Sequence, residues 1–440
     1  MARETINLLQ QIGVETAGVA QVETATVAGT PADGTAAVTV TASGMTGSPV
    51  AVTTPILSTD SLANVATKIA NALANDVSVS SFFAVRASST TIILTALTPA
   101  ANDATMNLSI AAAAGLTAAA SSANTTAGVA ASSGVAATKR FSGLEINITD
   151  AIETKQFRSW GAKANTISAI HKLWAKGSYK GPLSYVEICY ILASLAPKTV
   201  TADSPVAGVT EWNFLPNPTG SDSVNSFTLE DGDDEAVERY SSLQFLSFEG
   251  TWGLDDITCS GEVISKPHTN IGGLTAGTSL LAQRPVLRSH VDLFIDTAYG
   301  SIGTTKFPDT FDGKFKIGNK FDPKWVLNTS ETSWKELVEK IPEMSMTTVI
   351  EANAQGRALV YDITTNNTGR YIRLRSQGGI VTGSTPYLLQ FDMYGQAQDI
   401  RPQKDLNGMV YAYEIDWTAI NDDTMGRAWR AKVYNALTAL

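Results

Sequence analysis

The sequence predicts a mainly β protein: two tandem β-sandwich or partial-barrel domains, each with a flanking helix, plus a small inserted α+β domain. Three observations predict it. A set of landmarks occurs twice in the same order. One tetrapeptide brackets a stretch of different composition. Period-two alternation of apolar and polar residues recurs late in each half.

The repeated helix is the first landmark. Ser184–Leu195 reads S-Y-V-E-I-C-Y-I-L-A-S-L, and Ser333–Ile341 reads S-W-K-E-L-V-E-K-I. Each opens with Ser and carries Glu three residues on, at Glu187 and Glu336. That is capping-box spacing: the Ser oxygen takes a first-turn N–H and the Glu returns to the Ser N–H. Tyr185, Ile188, Cys189 and Leu192 fall at i, i+3, i+4, i+7, and Trp334, Leu337, Val338 and Ile341 fall at the same places. These residues are the expected core anchors of two short amphipathic helices. Pro197 and Pro342 oppose continuation of either helix.

The flanks repeat as well. Asp150 and Asp296 each close an apolar run. Phe157 answers Phe307, Trp174 answers Trp325, and Leu243-Gln244-Phe245 answers Leu389-Gln390-Phe391. The spacing stays near roughly 150 residues from landmark to landmark, which argues for a duplicated domain. The expected division is an N-terminal arm over residues 1–20, an inserted module over 21–130, and two domain copies over 131–285 and 286–440. Alternation in Ser242–Trp252, Leu388–Tyr394 and Val410–Trp417, with a final strand over Arg427–Tyr434, fits short antiparallel strands accompanied by one helix per copy.

The inserted module is nearly uncharged. Thr35–Ala42 and Val50–Thr53 read as strands around the turn S-G-M-T-G-S-P. Ser61–Ala74 reads as a helix with Leu62, Val65, Ala66, Ile69 and Leu73 on one stripe, and Phe83–Ala87, Thr91–Ala96 and Met106–Ile110 read as further strands. Ala17-Gly18-Val19-Ala20 precedes it and Ala127-Gly128-Val129-Ala130 follows it. Matched seams suggest a domain inserted in a Gly/Ala loop, where closure entropy rises slowly with length.

Composition narrows the function. The formal net charge is −10, which disfavours a nucleic-acid clamp, because clamping needs Lys and Arg to displace counterions. Two cysteines are too few for a disulfide framework, and Cys189 on an apolar stripe reads as a buried inert thiol. The N-terminus lacks a continuous apolar run, so no signal peptide is expected. The uncharged run from Ala104 to Thr138 is too polar for a membrane span, and synthesis in the cytoplasm is expected.

No catalytic or cofactor motif stands out. His171, His268 and His290 sit in no metal-binding spacing, and there is no nucleophile elbow or phosphate-binding glycine loop. No enzyme activity and no cofactor are expected. The densest acidic run is Glu230, Asp231, Asp233, Asp234 and Glu235. Read as a calcium loop from Asp231, it places Ala236 where Gly is needed and Ser242 where Glu is needed. A solvated loop is the plain reading, and an acidic loop facing a channel or a neighbouring subunit is the functional one. Asp255-Asp256 and Asp422-Asp423 read as turns.

G-V-E-T-A-G-V-A, A-A-T-K-R-F, E-T-K-Q-F-R-S-W-G and K-G-S-Y-K-G-P-L-S-Y-V-E-I-C-Y-I-L-A-S-L together resemble the major tail tube proteins of long-tailed bacteriophages. The closing runs Y-L-L-Q-F-D-M-Y-G, M-V-Y-A-Y-E-I-D-W and A-K-V-Y-N-A-L resemble the same family. The likeness covers about residues 4–20 and 138–440, and the inserted module resembles a repeat domain of phage tail proteins, most clearly over Ala101–Ile110. The resemblance implies β-sandwich subunits whose strands join into a ring, with rings stacked into a hollow tube. The tube encloses the tape-measure protein during assembly and conducts DNA on ejection. Two copies per chain would give three chains per ring with pseudo-six-fold symmetry. The implied partners are other copies of the chain, DNA and tape-measure protein in the lumen without specific binding, and other tail proteins at the tube ends. The implied location is the virion tail. Two alternatives stand beside this one: a surface or carbohydrate-binding protein working through the inserted module, and a non-polymerising ring component of the tail tip or terminator.

Overall fold

The computed structural model describes residues 9–233, 236–253, 256–327, 332–366, 368–406 and 410–440. The chain is mainly β and divides into two units, one formed by residues 1–15 and 133–440, the other by 16–132. No described helix is long and apolar enough to cross a membrane.

The smaller unit has two sheets. One pairs Phe83–Ser88, Thr91–Ala96, Val22–Thr26 and Ala123–Thr126 in that order; the other pairs Val50–Ile56, Gly34–Thr41 and Asn107–Ile110. Its helix, Leu62–Asn75, starts where Ser61 Oγ accepts the Asn64 N–H, and buries the stripe Val65, Ala66, Ile69 and Leu73 against the sheets.

In the larger unit the strands that carry the repeat begin with β1 (Leu9–Val14), β2 (Glu145–Phe157), β3 (Ile167–Pro182), β4 (Phe227–Gly232), β5 (Val237–Phe245), β6 (Phe248–Trp252) and β7 (Ile257–Ser265). They are followed by β8 (Val291–Asp296), β9 (Thr310–Ile317), β10 (Met344–Glu351), β11 (Arg370–Thr382), β12 (Thr385–Leu406), β13 (Val410–Ala419) and β14 (Trp429–Asn435). Helix α1 (Ile188–Leu195) follows β3 and helix α2 (Ala354–Asn366) follows β10.

The pairing order repeats. β1 pairs β4 as β8 pairs β11, and the hairpin β2–β3 answers β9–β10. β3 pairs β7 as β10 pairs β13, β4 pairs β5 as β11 pairs β12, and β6 pairs β7 as β12 pairs β13. The register agrees residue by residue. Ser260 lies between Glu249 and Lys180, and Glu414 lies between Arg401 and Val349. A one-residue shift follows the Phe245–Val263 pair and the Ala397–Trp417 pair alike. Glu145 therefore corresponds to Asp312, and helix α1 takes the place of α2. The smaller unit lies between β1 and β2, where the second repeat has only the connection from Asp296 to Thr310.

This register corrects the landmarks. Trp174 and Trp325 are not equivalent positions; their rings touch, 5.5 Å apart. Leu389-Gln390-Phe391 pairs with β11 and β14, whereas Leu243-Gln244-Phe245 passes from β4 to β7, the place taken in the second repeat by Gly395–Ala397. Six residues of the expected N-terminal arm, Leu9–Val14, form β1 within the sheet, and residues 1–8 lie outside the described ones.

The second expected helix is also corrected. Glu336–Glu339 is a strand paired with Phe321–Lys324. The Ser333 hydroxyl is buried with no hydrogen-bond partner, so no cap starts a helix there. Trp334 is buried, its indole N–H donating to the Ser265 carbonyl at 3.2 Å, and it packs on Leu246, Ile264 and Phe321, with Leu337 half-buried beside them. Val338 and Ile341 are exposed, Ile341 at 97%. A nine-residue segment gains too little from helical hydrogen bonds alone, and its anchor is better buried from an extended backbone. The helix of the second repeat is instead α2.

α1 forms within the expected stretch but starts at Ile188 rather than at a Ser184 cap, and Glu187 at its N-cap makes no side-chain capping bond. Ser184 Oγ accepts the Val186 N–H at 3.3 Å, but Glu187 does not return to Ser184. Its carboxylate accepts the N–H groups of Ser142 and Gly143, at 2.6 and 3.0 Å. Every residue of α1 is buried. Asn435 on β14 clamps it, donating to the Tyr185 carbonyl at 2.9 Å while accepting the Trp212 indole N–H at 3.0 Å. α2 is largely solvent-facing and buries only Gly356 and Ile363.

Candidate functional site

The repeats share one sheet of eight strands in the order β2-β3-β7-β6-β9-β10-β13-β12. The joint is β6 on β9: Phe248 pairs Ile317, Glu249 pairs Lys316 and Trp252 pairs Gly313. Because side chains alternate along a strand, the sheet has two unlike faces. Ile146, Ile148, Tyr179, Phe248, Phe315, Met346, Ile415 and Trp417 are buried on one. They pack against a second layer of strands, with Phe315 and Phe391 stacked at 4.7 Å and Tyr179 edge-on to Phe245 at 5.1 Å. β12 belongs to both layers: its first half lies between β11 and β14, and beyond Gly395 it pairs β13.

The opposite face is a polar carpet. Glu145, Asn147 and Thr149 on β2 alternate with the buried isoleucines and are exposed, as are Lys176, Ser178 and Lys180 on β3. Charges answer each other across strands: Lys180 lies 3.6 Å from Glu145 within the first repeat, and Lys316 lies 4.0 Å from Glu249 at the joint. Thr251 and Thr258 share a hydrogen bond of 2.8 Å. At the far end Arg401 donates to Glu414 and Asp416, each at 2.6 Å, and Thr347 Oγ1 donates to Asp416 at 2.7 Å. Gln403 donates to Glu414 at 2.7 Å. Burial raises the Asp312 carboxyl above its ordinary value, and Glu414 nearby adds to the rise. The acids Glu145, Glu249, Glu262, Asp312, Asp399, Glu414 and Asp416 outnumber the bases Lys176, Lys180, Lys314, Lys316 and Arg401. A surface of this kind has charge but no cationic row, so a phosphate backbone releases few counterions on approaching it.

Glu230 and Asp231 of the acidic run lie on β4, outside this sheet. Glu230 is fully buried on β4 and accepts from Arg239 at 2.8 Å, from the Thr275 N–H at 2.9 Å and from its hydroxyl at 2.7 Å. Burial opposes ionisation there, but the donors from Thr275, Arg239 and Ala137 outweigh it and hold the carboxyl below the ordinary range. Asp231 is pushed up by burial, and by Glu238, against the pull of Gln10. Asp233 accepts the Ala236 N–H at 2.8 Å. Asp234, Glu235 and Asp255 lie outside the described residues. Glu230 is therefore a buried, fully bonded carboxylate rather than part of a solvated loop. The acids that do share a solvent-facing surface sit singly on strands, and their sequence signal is alternation, as in V-Y-A-Y-E-I-D-W.

The helix anchors are brought together only in α1. Ile188, Cys189 and Leu192 are buried there, burial pushes the Cys189 thiol up to about 12, and Tyr185 donates or accepts with Ser376 and His290. Among the described residues, no three His, Cys, Asp or Glu side chains are grouped to hold a metal ion.

One further feature was not signalled by any motif. Beyond Asp150 and Ala175 the β2–β3 hairpin has no third strand among the described residues, and it runs on as a two-stranded ribbon. Phe157, Ile167 and Trp160 are exposed at its end, Trp160 completely. A two-stranded ribbon is marginal in water, and an exposed apolar end marks a contact surface.

No protein-family model matches the chain, and no curated protein matches its sequence.

Proposed function

We propose that this chain is a structural subunit that polymerises into a hollow tube, serving as the major tail tube protein of a long-tailed bacteriophage. The observation that carries the reading is the β6–β9 joint, through which one repeat's sheet runs directly into the next. Two equivalent sectors joined in this way are a fragment of a wall, and further copies extend the wall by the same contact. Closing such a sheet on itself removes its exposed edges.

The polar face would line the lumen. Its mixed, slightly acidic carpet suits a conduit that DNA must pass without being held, and it suits a tape-measure protein that must leave. Three chains, each supplying two sectors, would make a pseudo-six-fold ring. Rings stacked head to tail make an open filament, and the apolar ribbon end is suited to an adjoining ring. Other tail proteins would meet the tube at its ends, and the tail of the virion is the proposed location. The residues quoted above for the family likeness support the same reading.

Negative-stain electron microscopy of the purified chain tests it. Long hollow tubes are expected. Single rings that never lengthen would instead assign a terminator or tip component, and monomers at every concentration would overturn the assembly reading.

A further inference from the structure

The internal joint has an intermolecular counterpart that can be read residue by residue. β9 pairs β6 on one side and β10 on the other. Its equivalent in the first repeat, β2, pairs only β3 along Glu145–Asp150. β6 pairs both β7 and β9, but its equivalent, Ile400–Lys404 of β12, pairs only β13. Among the described residues these two edges have no strand partner, and they are the two halves of the contact that β6 and β9 make.

We propose that β2 of one molecule and Ile400–Lys404 of β12 in a second copy are mating edges, paired antiparallel with Thr149 opposite Arg401. The inference rests on the self-assembling reading above, and the register follows from the repeat. Glu249 corresponds to Arg401, and Lys316 to Thr149, so the Glu249–Lys316 pair predicts Arg401–Thr149. The same step sets Gln403 opposite Asn147 and Pro402 opposite Ile148.

Both edges are blunted in the free chain. The Gln10 side-chain amide occupies the outer backbone of β2, donating to the Ile146 carbonyl at 2.5 Å while its oxygen accepts the Ile146 N–H at 2.8 Å. Since backbone direction alternates along a strand, Ile148 and Asp150 point to the same open side. Pro402, opposite Ile148, has no N–H to give. A capped residue on one edge and a proline on the other are devices that keep an edge from indiscriminate pairing. Gln10 is thus a guard on the β2 edge that an arriving copy displaces.

Disulfide trapping in the full-length chain tests the register. Thr149→Cys with Arg401→Cys places the thiols at a directly opposed, non-hydrogen-bonded pair, where bridging is geometrically allowed. The native thiols, Cys189 and Cys259, are buried. Glu249→Cys with Lys316→Cys is the control, since it must bridge within one chain. The expected result is a ladder of covalent oligomers from the first pair and cross-linked monomer from the second. Oligomers that form without a covalent ladder, while the control bridges, would overturn the register and leave the assembly reading standing. A chain that stays monomeric at every concentration would overturn both. Gln10→Ala should raise the assembly rate several-fold by light scattering; an unchanged or slower rate would overturn the guard.

Discussion

Trp174 meets Trp325 edge to face, with ring centroids 5.5 Å apart and planes inclined at 75°. The Lys172 ammonium lies 5.0 Å from the Trp325 ring centroid, and the Leu173 N–H donates to the Thr332 carbonyl at 3.0 Å. The ribbon base of the first repeat is thereby fastened to a segment of the second. Aromatic pairs of this geometry are worth about 1 kcal/mol beyond the area they bury. A double-mutant cycle with Trp174→Ala and Trp325→Ala, read by urea unfolding, should return a coupling of about that size.

The two anchor sets should respond very differently to truncation. Leu192 is fully buried in α1, and Leu192→Ala is expected to cost about 3 kcal/mol, the usual range for a cavity left in a packed core. Val338 is 48% exposed on a short paired strand, and Val338→Ala should change stability by no more than about 0.5 kcal/mol. Equal losses in chemical denaturation would contradict the strand assignment.

That contrast marks what was legible in the sequence. The mainly β class, the small unit's helix and its strands Gly34–Thr41, Val50–Ile56, Phe83–Ser88, Thr91–Ala96 and Asn107–Ile110, and the body of α1 follow from local periodicity; Val22–Thr26 and Ala123–Thr126, short and mostly polar, do not. The segment at Ser333 is ambiguous in sequence because Trp334 and Leu337 suit a helical stripe as well as an extended segment, and Ile264, Leu246 and Phe321 decide between them. An acidic run is conspicuous in sequence because its charges are contiguous. The polar face is not, because its charges stand singly on strands, and which strands adjoin is settled by long-range pairing. Glu249 and Lys316 reveal their relation only once β6 lies on β9.

Acid should find Glu230. Its folded-state carboxyl lies below the ordinary value of 4.5, so its contribution is complete above that value and is lost as pH falls through the folded one. Melting temperature should therefore decline on acidification below about pH 4.5. Glu230→Gln should lower stability at neutral pH by about 2 kcal/mol, the worth of hydrogen bonds to a charged group, and should flatten the acid limb. Calorimetry across the pH range reads both effects.

The small unit should be removable. Its ends lie side by side, with the Ser132 N–H donating to the Thr16 carbonyl at 3.0 Å and the Thr16 N–H donating to Ser132 Oγ at 2.8 Å. Replacing residues 16–132 by a short Gly/Ser linker should eliminate one unfolding transition and leave that of the larger unit in place. Insoluble product would count against its independence.

The ribbon end separates folding from polymerisation. Phe157→Ser with Trp160→Ser alters side chains that are largely exposed, so the melting temperature should hold within a few degrees. Tube length in micrographs should fall sharply, leaving short stacks or rings. Tubes of normal length would remove the ribbon from the ring-to-ring contact.

β12 passes from one layer to the other at Gly395 as a single strand of 22 residues. A Cβ there would come within 2.9 Å of the Met393 methyl and within 3.3 Å of both Ile372 and Trp417, so the crossing is tightly enclosed. The mechanical consequence is that neither layer can slide over the other. Shear applied to one is carried along the backbone and arrives in the second as torsion, which stiffens the molecule against flattening while still permitting it to twist.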